Sequence, residues 1–406
     1  MNKLKRGMYF LREEGPRRTL ARVFTFMSNR LLSIGADGKM MVSPHQVLAA
    51  DWTEPTERFT SQKTEGPFEL AWIMSPPGRA SGGHQNIFRF IHFAEQAGHR
   101  CKIYLYSTSN NGPSLEETKR MLEKSDAYPE ISASIEPYDE TRGVAKSVDA
   151  IFATGWETAY PVFNDTHVAK RFYFVQDFEP SFYPVGTQTM LAENTYRFGF
   201  HGITAGGWLP GKLGEDYGME CDHFDFAAEP DNYSVTNTAE RDELFFYARP
   251  VTERRAFEFG LLVLQEFSRM RPDVTINFAG WDLSSFDIPF PHQSHGAMAL
   301  SDLNGLYNRC RAGLVLSLTN MSLLPLELIA AGVVPVVNDG ANNRLVSNHP
   351  GIEFVAPTPH AMARRLLEVF ERAQDPVALA AGAPTHTWND SGQQFLSALE
   401  KAMRVG

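Results

Sequence analysis

Three arginines, Arg249, Arg254 and Arg255, follow closely on the apolar run 244–248 (LFFYA). Guanidinium groups set where a strand hands over to a helix can clamp a diphosphate, adding their charge to the positive end of the helix dipole. Only one of Arg254 and Arg255 need turn inward for this, and Arg254 is the preferred one. The plain alternative is a solvated cluster that caps helix ends. A second signal is Glu327, lodged in the otherwise apolar and small-residue stretch 317–332 (SLTNMSLLPLELIAAG). A buried carboxylate without a partner costs on the order of several kcal/mol or takes up a proton. Glu327 follows Pro325, a residue at home in a helix's first turn, where a carboxylate gains from the dipole. At the cleft-facing start of such a helix it can also accept hydrogen bonds from sugar hydroxyls, and ribose binding is the expectation.

Two further stretches complete the set. Ser81-Gly82-Gly83 lies between a strand-like and a helix-like run, and paired glycines there let backbone N–H groups approach an anionic ligand. A plain glycine turn reads the same way, since neither GxGxxG nor a Walker lysine pattern is present. Gln176-Asp177-Phe178-Glu179 follows the apolar run 171–175 (RFYFV). Asp177 or Glu179 could orient or deprotonate an acceptor hydroxyl, or simply cap a turn. Phe178, Phe182 and Tyr183 beside them either line a sugar-sized pocket or fill core. Other chemistries lack support. No Asp-x-Asp occurs, so no local carboxylate pair is set up to hold a metal-bound diphosphate. His292 and His295 share a Pro- and Ser-containing loop without a matching third ligand. There is no Gly-x-Ser-x-Gly elbow and no nucleophilic-cysteine signature.

Something must position these residues, and the apolar periodicity says what. Residues 68–74 (FELAWIM) read as a strand. Ile87, Phe90, Ile91, Ala94 and Ala97 then recur at helical steps, Gly98 closes the helix, and 101–106 (CKIYLY) is the next strand. Strand–glycine loop–helix–strand units build parallel sheets. Strands at 149–154, 171–176 and 202–205 continue the rhythm. A polar linker at 234–243 precedes a second set: strand 244–248, a helix over 253–270, strands 275–279 and 312–318, the Glu327 helix, and strand 333–337. A last helix covers 391–404. The fold class is α/β, two facing Rossmann-like domains, and every candidate follows a strand, where ligands of such sheets bind. The expected boundaries are an extension 1–66, a first domain 67–237, a second domain 238–388, and a C-terminal helix 389–406 that crosses back. Residues 40–66 read as an extended connection.

Composition bounds the rest. The 406 residues are 43% hydrophobic and 21% charged, which fits a folded globular chain of two domains. Cys101, Cys221 and Cys310 are widely spaced, which excludes a disulfide framework and points to a reducing compartment. No apolar run reaches the roughly 18–20 residues that span a bilayer, and a secretion-signal pattern is missing. A cytoplasmic place is expected, with the inner face of the cell membrane as the option that an anchoring segment would add. The formal net charge is −10, yet residues 1–40 hold nine Lys/Arg against three acidic residues. The acidic remainder argues against nucleic acid as a partner. Leu20, Val23, Phe24, Met27, Leu31 and Ile34 make an apolar stripe in that basic segment. Two readings stand for it: a helix packed on the body or on a second subunit of a homodimer, or an anchor on an anionic membrane surface.

Taken together, Ser81-Gly82-Gly83 with its helix and Ala97-Gly98-His99, then Ala248-Arg249-Pro250, and above all SLTNMSLLPLELIAAGVVPVVND (317–339) resemble the retaining glycosyltransferases of family 4. The last stretch is similar to that family's Ser-x-x-Glu-x7-Glu-Ala-x-Ala-x-Gly-x-Pro-Val block. The details FVQDFEPSFYP and LSLTNMSLLPLE resemble the WsaF group of rhamnosyltransferases, which assemble bacterial surface polysaccharides from dTDP-rhamnose. The resemblance runs from about residue 68 to 400, and residues 1–66 have no counterpart in it.

That resemblance implies the GT-B fold and assigns roles. Glu327 matches the glutamate that binds the nucleotide ribose. Arg249 and Arg254, with Arg255 beside them, would hold the diphosphate, and the segment 295–298, ending at Met298, the base. Gly82 and Gly83 would meet the sugar–phosphate end of the donor. Thr319 and Asn320 stand where the family has its first glutamate, so contacts to the transferred sugar differ, and a less acidic pocket suits a deoxysugar such as rhamnose. Gln176 or Asp177 stands at the family's strand-end histidine, on an acceptor side with Glu179 and Phe182. The implied reaction retains configuration without a protein nucleophile, metal or cofactor. The leaving diphosphate helps deprotonate the acceptor while the arginines stabilise its charge. The substrates would be a nucleotide-diphosphate sugar and a glycan or lipid-linked glycan. Two rival readings are a GT-B nucleotide-sugar epimerase, which needs no acceptor, and a non-catalytic glycan- or nucleotide-binding scaffold.

Overall fold

The computed structural model describes residues 41–54, 59–61, 63–79, 81–108, 113–227, 232–321, 323–383 and 385–404. The basic segment 1–40, with its packed-helix, homodimer and membrane readings, lies outside them.

The strand-like runs pair, and they pair in parallel. In the first domain β1 (Glu69–Met74), β2 (Arg100–Leu105), β3 (Ser134–Pro137), β4 (Ala150–Ala153), β5 (Lys170–Val175), β6 (His201–Ala205) and β7 (Cys221–Phe224) make one sheet, ordered β3-β2-β1-β4-β5-β6-β7. The second domain holds β8 (Glu243–Tyr247), β9 (Thr275–Ala279), β10 (Gln293–Ser294), β11 (Cys310–Val315), β12 (Val334–Asn338) and β13 (Glu353–Val355), ordered β10-β9-β8-β11-β12-β13. Strand order therefore reverses between β1 and β4 in one sheet and between β8 and β11 in the other. Loops leaving the carboxyl ends of those strands border the crevice where ligands of doubly wound sheets sit.

Helices cover both faces, so the central strands are apolar on both sides. On β1, Leu70, Trp72 and Met74 join one core while Ala71 and Ile73 join the other. The helix Trp388–Arg404 lies on the first domain, where Phe395 meets Phe90 at a ring-centroid distance of 5.2 Å. Full burial of a side chain such as Phe395 contributes about 1.5–3 kcal/mol. Gly392 permits this crossing, because a β-carbon there would lie 2.7 Å from the Phe93 ring.

The structure departs from the sequence reading in three places. Within the supposed extended connection, Pro44–Ala49 is a helix led by Pro44. The supposed helix over 253–270 is a tight turn, Glu253–Arg255, followed by Ala256 at φ 48 and then a helix, Phe257–Met270. The strands β3, β7, β10 and β13 carry no clear apolar signal, because each is short and partly exposed.

Candidate functional site

Two loops meet at the crevice of the second sheet. Behind β8, Ala248 is buried and Arg249 reaches the Tyr247 hydroxyl at 3.4 Å, its Cζ 5.9 Å from that ring's centroid. The chain then turns through Glu253–Arg255, and Ala256 takes the left-handed conformation that a non-glycine residue adopts at a cost of about 1–2 kcal/mol. That turn points the Arg255 guanidinium and the Arg254 carbonyl at the loop behind β11, while the Arg254 guanidinium turns to the first domain. Arg255 donates to Ser317 Oγ at 2.6 Å, and the Arg254 carbonyl accepts the Leu318 N–H at 2.9 Å. Burial lowers the pKa of Arg255, while the nearby Asp177 charge offsets part of that.

Asp177 crosses from the first domain into this corner. Its Oδ1 accepts the Asn320 N–H at 2.8 Å, and its Oδ2 accepts Thr319 Oγ1–H at 3.0 Å and Arg254 Nε–H at 3.1 Å. Thr319 and Asn320 are buried, and the Asn320 amide donates back to the carbonyls of Gln176 at 3.0 Å and Ala205 at 2.8 Å. The stretch expected to meet the transferred sugar and the carboxylate expected to orient an acceptor hydroxyl are thus bonded to each other. Asp177 could act on a hydroxyl only if one of these donors left.

On the first domain's side, Gln176 donates to the Gly83 carbonyl at 3.0 Å and accepts from Asn86 at 3.3 Å. Gly82 and Gly83 open the helix Gly82–Gln96, and a β-carbon on Gly82 would meet nothing within 4 Å. Both glycines are exposed, and their N–H groups belong to the helix's first turn, which has no intrahelical acceptor for them. His84, which the sequence reading passed over, fixes this loop. Its Nε2–H donates to the Ser75 carbonyl at 2.9 Å, which leaves Nδ1 to accept from Ser81 Oγ–H at 2.8 Å, and burial lowers its pKa in favour of that neutral form. Only its place directly after the paired glycines could have flagged it.

Glu327 is half-buried in the short helix Leu324–Ala330, and its Oε2 accepts the Tyr307 hydroxyl at 3.4 Å. Burial, and then the Glu327 charge, raise the pKa of Tyr307, so it stays a donor. Met298 lines a groove of about 390 Å³ with His295, Ser301, Asp302 and Arg309, beside the sheet edge. His295 Nε2 bonds to Asn277 Oδ1 at 2.8 Å.

Glu179 is buried, its Oε2 accepting the Trp156 N–H at 2.6 Å. Beside it, Glu157 folds back over Gly155, where a β-carbon would lie 2.8 Å from a carboxylate oxygen. Burial and then the Glu157 charge push the pKa of Glu179 well up, and burial raises that of Glu157. Glu157 was absent from the sequence reading because nothing local marks it; its significance comes from Glu179, a residue of a separate turn. Phe182, expected to line a sugar pocket, is 38% exposed, with the Arg254 guanidinium over its ring at 4.1 Å.

Comparison with known proteins agrees with this architecture. The family descriptions "WsaF, N-terminal domain" and "WsaF, C-terminal domain" match residues 116–205 and 242–367, together more than half of the chain. The O-antigen biosynthesis protein RfbC of Myxococcus xanthus is 31% identical over 313 residues, covering 75% of this chain and 24% of that protein. The chain therefore spans about a quarter of that relative's length. Among solved structures, Anabaena HepE in complex with UDP superposes with a TM-score of 0.63 at 14% identity, over 82% of this chain and 100% of that one. A putative UDP-N-acetylglucosamine 2-epimerase from Listeria monocytogenes gives 0.51 at 10% identity, over 84% and 98%. These likenesses establish the GT-B fold, which transferases and epimerases share.

Proposed function

The chain belongs to the WsaF family, and on that premise we propose that it is a glycosyltransferase of bacterial surface-glycan assembly. It moves a sugar from a nucleotide-diphosphate donor to a hydroxyl of a growing glycan. The observation that carries this reading is the convergence of Arg249, Arg254 and Arg255 on the crevice between β8 and β11, where the carboxylate of Asp177 balances only part of their charge. A diphosphate supplies the anion that the excess calls for.

In this reading Arg249 and the free end of Arg254 hold the diphosphate, Glu327 takes the ribose, and the groove at Met298 receives the base. The Gly82–Gly83 N–H groups face the sugar–phosphate end. As the glycosidic bond breaks, the diphosphate gains charge, the arginines stabilise it, and it takes the acceptor's proton on the same sugar face, with retention. The guanidinium set supplies positive charge without a metal, so activity should persist in EDTA. The likeness to the WsaF group makes rhamnose from dTDP-rhamnose the specific donor proposal, and the name of RfbC supports a lipopolysaccharide-type acceptor.

A thermal-shift panel of dTDP, UDP and GDP tests the donor site, since a ligand of the folded state raises the melting temperature. No shift with any of them at millimolar concentration overturns the reading. Incubation with the bound nucleotide's sugar, with and without glycan acceptor, then separates transfer from epimerisation: conversion of the donor alone favours the epimerase.

A further inference from the structure

Arg254 belongs to the second domain, but its guanidinium is held by the first. Asp177 takes its Nε–H at 3.1 Å, and the Phe182 ring lies under its plane, 4.1 Å from Cζ to the centroid. Phe182 ends the tight turn Glu179–Phe182, which is pinned from below: Trp156 N–H donates to Glu179 Oε2 at 2.6 Å, and Glu179 N–H donates to the Tyr196 hydroxyl at 3.1 Å. Nε is thus engaged and Cζ lies over a ring, and among the described residues no hydrogen bond reaches the two terminal nitrogens of Arg254, which are left as a fork of donors. Arg255, by contrast, is engaged within its own domain by Ser317.

We propose that Phe182 and Asp177 are positioning residues for the donor clamp. The first domain supplies a floor and an edge that orient Arg254 for a nucleoside diphosphate, so the clamp is complete only when the two domains meet. The proposal rests on the diphosphate reading above. It carries a consequence that reading lacks: a first-domain ring, acting through Arg254, should tune affinity for a nucleotide seated on the second domain.

Calorimetric titration with dTDP, UDP and GDP tests this on wild type, Phe182→Ala, Phe182→Tyr, Arg254→Ala and the double variant Phe182→Ala/Arg254→Ala, each first checked for an unchanged melting temperature. For whichever nucleotide wild type binds, Phe182→Ala should weaken binding about two- to fivefold, the scale of a partly exposed cation–π contact. Phe182→Tyr, which keeps the ring face, should restore it. In the Arg254→Ala background the same alanine should change affinity no further, because the ring acts through that arginine. Wild-type-like binding by Phe182→Ala, or an equal loss with and without Arg254, overturns the proposal and leaves the donor site standing. If wild type binds none of the three nucleotides, the donor-site reading falls and this proposal falls with it.

Discussion

Asp177 Oδ1 accepts the backbone N–H of Asn320 at 2.8 Å, joining residues 143 positions apart in two different domains. The same carboxylate takes Thr319 and Arg254, so one side chain satisfies three donors of the opposite domain. Removing it strands a guanidinium, a buried hydroxyl and a buried amide at once. Asp177→Ala should lower stability by about 2–4 kcal/mol, read as a drop in the urea midpoint. Asp177→Asn, which keeps one acceptor oxygen, should lose less. An unshifted midpoint in Asp177→Ala would mean that the contact contributes nothing net.

Arg249 offers the cleaner probe of chemistry. Its contacts with Tyr247 are long and lie at the surface, so Arg249→Ala should fold as wild type does. If it stabilises the departing diphosphate, its loss should raise the barrier by about 2–4 kcal/mol, roughly thirtyfold to a thousandfold in kcat/KM. Near-wild-type turnover with donor and acceptor would remove Arg249 from the clamp.

Glu327 and the arginines should separate by ligand. Glu327→Ala should weaken a bound nucleoside diphosphate about tenfold, the scale of charge-assisted hydrogen bonds to sugar hydroxyls. Pyrophosphate, which has no ribose, should bind the variant as tightly as wild type. Equal losses for both ligands would place Glu327 outside ribose recognition.

The Glu157–Glu179 pair predicts a pH effect of definite sign. Burial and the Glu157 charge lift the Glu179 pKa well above the ordinary 4.5. Above that pH the unfolded chain sheds a proton that the folded chain keeps. The associated stability is therefore fully present below about pH 4.5 and is lost as pH rises through the folded-state pKa. Glu179→Gln removes the titration and can still accept the Trp156 N–H. Its melting temperature should gain on wild type steadily from about pH 5 to about pH 8, with little difference near pH 4. Parallel melting curves across that range would show that the pair does not share this strain.

The central strands were legible because both of their faces are buried, as in β5 with Phe172, Tyr173, Phe174 and Val175. The edge strand β3 was not, since Ser134–Pro137 pairs on one side and is largely open to water. Arg249 and Glu327 could be named from local composition, because a charge beside an apolar run is visible in one dimension. The Asp177–Asn320 contact could not: each residue reads as an ordinary turn former, and only folding makes them neighbours. Ala256 likewise looked like helix interior, yet it takes a left-handed φ between the turn that carries Arg254 and Arg255 and the helix Phe257–Met270.

The helix Trp388–Arg404 has a mechanical consequence. Because it returns to the first domain after the second is complete, the backbone crosses between the domains twice, once between β7 and β8 and once ahead of Trp388. Two bodies joined by two tethers turn readily about the line through them and resist shearing past one another. A swing about that line would part Asp177 from Asn320 and Phe182 from Arg254 in one stroke.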